Sequence, residues 1–138
     1  MLKKILYILL QCTWGLPQTL MGLCAFIANR KYKHRMYRGC IETQWNLPGG
    51  LSLGMFIFTP PETQENWKLI RVHEYGHTIQ SMVLGPWMLL VGIISVVWGA
   101  LPYFERMRRE KKLPYTACFV EAWASKWGEW VTGEKALW

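Results

Sequence analysis

RVHEYGHTIQS, residues 71–81, sets two histidines four positions apart with a glutamate directly after the first. On a helix, positions i and i+4 share a face, so His73 and His77 can point two imidazoles at one ion. Glu74 is rotated about 100° from His73 and can reach a water on that ion without binding it. This HExxH spacing is the one in which zinc acidifies a water and the glutamate removes its proton. Two of the chain's three histidines are committed to this one turn.

Working outward, "TPPETQEN" ends a strand and opens the helix that carries the motif, predicted over residues 63–84 and closed by "LGP". Upstream, "CIETQW" and "LSLGMFIF" are β-rich and joined by "NLPGG", which predicts a β-hairpin over 40–58. Residues 5–27 form a first apolar segment long enough to cross a bilayer, which takes about 20 residues. No small-residue cleavage site follows it, so it reads as an uncleaved anchor. Gly15 and Pro17 in its middle allow a kink or a re-entrant turn. Residues 86–101 form a second, shorter apolar segment, and a last helix is predicted over 115–132. The fold class is thus a mainly α membrane protein. It has two apolar membrane segments, a short β-hairpin and a two-helix zinc site, all in a single domain over 1–138.

Composition supports that class. The 138 residues are 51% hydrophobic and carry a net charge of +7, with nine Trp. Apolar blocks alternating with basic ones suit a small membrane protein better than a nucleic-acid binder, so the lipid bilayer is the expected partner and nucleic acid is not. Five Lys or Arg lie between 30 and 38 and five more between 106 and 112. Such segments resist export, which places the motif face in the cytoplasm, with at least one apolar block kinked or re-entrant. The four cysteines form no CxxC pair and read as reduced thiols.

A hydrolytic zinc takes three protein ligands and keeps one open position. There is no Asp in the chain, so the third ligand falls to His34, a Cys or a Glu. Glu121 stands out, because it sits in the mostly apolar helix "CFVEAWASKWG", where an unpaired carboxylate is costly to bury. Its helical neighbours Ala124, Ser125 and Gly128 are small, and Gly76 between the motif histidines is smaller still, so the two helices can come close. Cys118, one turn earlier, is the rival ligand. The opposite face carries Phe119, Trp123, Trp127 and Trp130, a stripe suited to core packing or to a membrane interface.

HEYGH followed by a glutamate on a later helix resembles the gluzincin class of zinc metallopeptidases. Its HExGH form is similar to membrane metalloendopeptidases of the CAAX-processing type. Over nearly the whole chain, Ser52 to Phe58, His73 to Ser81, Leu84 to Pro86 and Glu121 to Ala124 resemble small bacterial membrane proteins of unassigned function. The resemblance implies His73, His77 and Glu121 as zinc ligands, Glu74 as the base, and a place in the bacterial cytoplasmic membrane. One departure stands out: gluzincins often read ExxxD, and here the last position is Ser125, which can accept an imidazole N–H but brings no charge. Tyr115, His34 and Arg71 are open choices for a transition-state stabiliser. The expected activity is zinc-dependent hydrolysis of a peptide or membrane-protein substrate. The competing expectations are a zinc-stabilised, non-catalytic membrane interaction or immunity protein, and hydrolysis of a non-peptide bond.

Overall fold

The motif helix is the axis of the computed structural model, which describes residues 2–138. This helix, α3 (Trp67–Leu84), begins four residues later than predicted. Pro60 and Pro61 hold the chain extended, and turns at Gln64 and Trp67 come before the first helical bond, from Ile70 N–H to the Asn66 carbonyl. It stops at Gly85, whose φ of +55° is a left-handed conformation that suits glycine. Residues on nearly every side of α3 are buried, from Ile70 and Val72 to Gln80 and Ser81, because other elements surround it.

The predicted hairpin over 40–58 is replaced by a four-stranded mixed sheet. Strands β1 (Lys33–Tyr37), β2 (Cys40–Gln44), β3 (Leu51–Leu53) and β4 (Phe56–Thr59) lie in the order β1-β2-β4-β3. β2 and β4 run parallel, Ile41 opposite Phe56 and Thr43 opposite Phe58, so they are not the arms of one hairpin. Two tight turns account for the difference. Gly54, at φ +60°, packs on the Thr19 backbone and reverses the chain inside the stretch read as one strand, pairing Leu53 with Phe56. Arg38 and Gly39, both at positive φ, close a second turn that pairs β2 with the basic stretch 33–37. That stretch is a strand as well as a charge cluster.

The first apolar block is likewise not one membrane-length segment. It is two helices, α1 (Leu2–Cys12) and α2 (Leu16–Ala28), of 11 and 13 residues. The break falls where Pro17 lacks an N–H and Gly15 N–H bonds to the Leu10 carbonyl. Gln11 and Gln18 are buried near this break against α3, and Thr19 is buried against the turn at Gly54. The second block forms α4 (Met88–Ala100), entered through a 3-10 turn at Gly85–Trp87. Trp67–Ala100 is the one helical stretch among the described residues long and apolar enough to cross a membrane. A helix absent from the sequence reading, α5 (Pro102–Lys111), follows it, with Pro102 in its first turn and Arg108, Arg109 and Lys111 in its last, each favourable to the helix dipole. The last helix, α6 (Phe119–Thr132), packs on α3 and ends at Gly133. Helix makes up 62% of the chain, in keeping with the mainly α expectation.

Candidate metal centre

The centre lies where α3 and α6 touch, and glycines set how closely they do so. A methyl group on Gly76 would run into the Ala124 carbonyl, and one on Gly128 into the Val72 carbonyl. The small face of α6 therefore lies directly on the histidine face of α3, as the sequence predicts.

His73, His77 and Glu121 converge there, with one ligand atom from each within 4.8 Å of the others. Glu121 Oε2 is 3.0 Å from His73 Nε2 and 3.3 Å from His77 Nε2. All three side chains are buried, Glu121 to 1% exposure. His34 is elsewhere: its ring is bonded to Thr43 and the Arg30 carbonyl and lies against Phe26. Cys118 faces an apolar pocket with Ile94, Val97 and Trp98. Of the possible third ligands, Glu121 alone joins the two motif histidines.

The surrounding hydrogen bonds fix which imidazole nitrogens carry protons. Ser125 donates its hydroxyl hydrogen to the Leu137 carbonyl, so its oxygen is left to accept from His73 Nδ1, 2.8 Å away. Gln80 donates its amide to the Val120 carbonyl, which turns its Oε1 toward His77 Nδ1 at 2.7 Å. Both Nδ1 atoms are therefore donors, and when the imidazoles are neutral both Nε2 atoms present lone pairs to the centre. With neutral imidazoles, three acceptors face one another in a buried space, an arrangement that repels itself unless a cation, a metal ion or a proton, lies between them. A proton on an imidazole Nε2 can take the place of that cation: burial alone would raise the Glu121 carboxyl pKa, but hydrogen bonds from imidazoles so protonated, together with Ser95, hold it well below the usual carboxylate range. The Ser95 hydroxyl, on α4, occupies the second carboxylate oxygen.

Glu74 is buried beside this cluster, one helical step round α3, and its carboxylate packs against Gly50, where a Cβ would strike it. Among the three proposed stabilisers, Tyr115 lies nearest. Its hydroxyl is 3.4 Å from the Ser95 carbonyl, and its pKa is raised first by burial and then by the charge of Glu121. Arg71 is on the outer side of α3, over the rings of Tyr37 and Trp67 and bonded to Glu134.

Gln80, Ser95 and the Leu137 carbonyl escaped the sequence reading. Gln80 is three residues past His77, on the same helix face, and that spacing was an available signal. Ser95 is the sole hydroxyl in the second apolar block, a weaker signal. A backbone carbonyl leaves none. The aromatic stripe of α6 is not core, since Phe119, Trp123 and Trp130 are exposed, Trp130 to 83%. No known protein family, curated protein or solved structure matches this chain.

Proposed function

We propose that this chain is a membrane-associated zinc metallopeptidase of gluzincin type, hydrolysing a peptide or membrane-protein substrate. The observation that carries this reading is the convergence of three acceptor atoms, from His73, His77 and Glu121, with the Glu74 carboxylate alongside. Two imidazole nitrogens and one carboxylate oxygen are a donor set that zinc accepts, and three protein ligands leave a fourth position for chemistry. When bound there, zinc supplies Lewis-acid polarisation of a carbonyl and acidifies water.

The chain's own residues do the rest. Glu74 takes one proton from the attacking water and delivers it to the leaving amine as the carbon–nitrogen bond breaks. Ser125 and Gln80 hold the two imidazoles in the tautomer that keeps Nε2 free. β3 pairs only with β4 and lies beside α3, so its open edge can add an extended peptide near Glu74. Large apolar residues on α1, α2 and α4 are exposed, among them Leu6, Leu20, Ile93 and Val96, and they supply the lipid-facing surface of this reading. The basic segments keep the motif face in the cytoplasm.

The burial of all three ligands also suits an ion that holds α6 to α3 without catalysis, the interaction or immunity protein of the second reading. Glu74→Gln separates the two. It preserves shape and is not a ligand, so zinc content and thermal stability should match wild type. Cleavage of a co-expressed membrane substrate should fall by a factor on the order of a hundred to ten thousand. Normal zinc with undiminished biological function in this variant would remove the peptidase and leave the structural ion.

A further inference from the structure

The first apolar block folds back on itself, the second folds back on α3, and the two turns meet. In the first, the Thr19 hydroxyl donates to the Gln11 carbonyl at 2.8 Å. Eight residues of straight helix would separate those positions by about 12 Å, so α1 and α2 form a sharp hairpin. Both arms lead away from Trp14 toward the sheet: Tyr7 packs on Tyr75 and Cys40, and Phe26 on His34 and Phe56.

The second case is less obvious, because Trp67–Ala100 is long enough to cross a bilayer. His77 and Ser95, eighteen residues apart, reach the two oxygens of the same Glu121 carboxylate. A straight helix would hold them about 27 Å apart. The reversal sits at Gly85, with its left-handed φ, followed by Pro86. From there α4 returns along α6, Val91 packing with Val120 before Ser95 reaches Glu121. The two tips are in contact, since the Trp14 ring occupies the space a Cβ on Gly85 would need and Gln18 donates to the Gly85 carbonyl at 2.9 Å.

We infer that the chain enters the bilayer from one side only, as two helical hairpins joined at their tips, and does not cross it. This rests on the membrane association proposed above and is independent of whether the site is catalytic. The membrane-facing arms α1, α2 and α4 have 11, 13 and 13 residues. At 1.5 Å per residue they are about 16–20 Å long, against a hydrocarbon core of about 30 Å. That is enough to enter one leaflet and return. The tips are apolar, with Val83 60% and Trp87 66% exposed. The open ends are basic: Lys3 and Lys4 begin α1, Arg30, Lys31 and Lys33 follow α2, and five Lys or Arg between 106 and 112 follow α4. Such a charge pattern matches an anionic leaflet met from a single side. His77 and His73 lie eight and twelve residues before Gly85, about 12–18 Å from the tips, so the metal centre sits where hydrocarbon gives way to headgroups.

The test uses the full chain with the exposed Cys12 and Cys24 changed to serine and single reporters Lys31→Cys, Lys111→Cys or Trp87→Cys, each checked for wild-type metal content. In right-side-out and inverted membrane vesicles, residues 31 and 111 should react with an impermeant maleimide in the same preparation only. In phosphatidylcholine vesicles containing phosphatidylglycerol, a fluorophore at residue 87 should be quenched by lipids brominated along the chain, and one at residue 111 should not. Reaction of 31 and 111 from opposite sides would overturn the hairpin entry while leaving membrane association intact. Failure to float with these vesicles, or apolar faces cross-linking to a second copy of the chain instead, would overturn both.

Discussion

Helix α3 carries buried polar groups on two sides, and the two sides are built differently. Toward α1 and α2, donors and acceptors are largely matched, with the buried Gln18 Oε1 the exception. Gln11 donates to the Thr78 carbonyl and accepts from Ser81, and Gln18 donates to Ser81 and to the Gly85 carbonyl. Toward α6, the neighbours of the imidazoles accept the Nδ1 protons, so with neutral rings three acceptors are left facing inward. A seam so nearly matched joins helices without a charge between them. An unmatched one needs a positive charge, and the imbalance, more than the burial, is what makes it a candidate binding site.

The contrast breaks most completely with Glu121→Gln. Removing one negative charge at nearly constant volume should reduce bound zinc to background, while Gln11→Leu, on the matched side, leaves metal content at wild-type level. Metal analysis of the two purified variants decides this. If Gln11→Leu also strips the metal, the two seams are not separate in function. Gln11→Leu should instead lower stability by about 1–3 kcal/mol, because the Ser81 donor loses its acceptor in a buried place. Chemical denaturation in the presence of chelator would read that cost without any contribution from the ion.

Ser125 sharpens the comparison further. Ser125→Ala should weaken zinc affinity by about 10–100-fold with the ligands unchanged, measured by competition with a chromophoric chelator. Ser125→Asp should not restore it, although the gluzincin pattern that the motif resembles often has aspartate there. The partner on the far side of Ser125 is the Leu137 carbonyl, and a carboxylate would meet it acceptor to acceptor. A hydroxyl fits because it donates one way and accepts the other.

The smallest effect concerns Glu134, which ties the segment carrying Leu137 to Tyr37, Arg38 and Arg71. Burial alone would raise its pKa, but hydrogen bonds from Arg38 and Tyr37 and the nearby Arg71 charge prevail and lower it. A lowered folded pKa contributes stability above the unfolded value of about 4.3 and loses it as pH falls through the folded one. Glu134→Gln should therefore lower the unfolding free energy slightly at neutral pH, by less than about 1 kcal/mol because the side chain is 38% exposed. The difference from wild type should close below about pH 4 and shrink in high salt.

The site was more legible in the sequence than the fold around it. His73, His77 and Glu121 announce themselves because a ligand set needs particular side chains at helical spacing, and Gly76 and Gly128 because close helices need missing ones. The sheet order was not legible. It depends on Arg38 adopting a left-handed turn that its side chain does not favour, and on Gly54 being pressed against Thr19, a contact between distant segments. Apolar length likewise gave the extent of each block and could not give its reversal. Pro17 and Gly15 signalled the first turn, whereas Gly85 and Pro86 read equally well as the simple end of a helix.

The contact between His77 and Glu121 joins positions 44 residues apart, and α4 and α5 lie wholly inside the loop it closes. A bound ion would act there as a removable cross-link. By the chain-entropy relation used for disulfides, closing a loop of this length restricts the unfolded chain by about 4 kcal/mol. Chelation should therefore loosen the molecule unevenly. Amide exchange should rise first in α4 and in the start of α6, while α1 and α2, lying outside the loop and held by neutral hydrogen bonds, keep their protection.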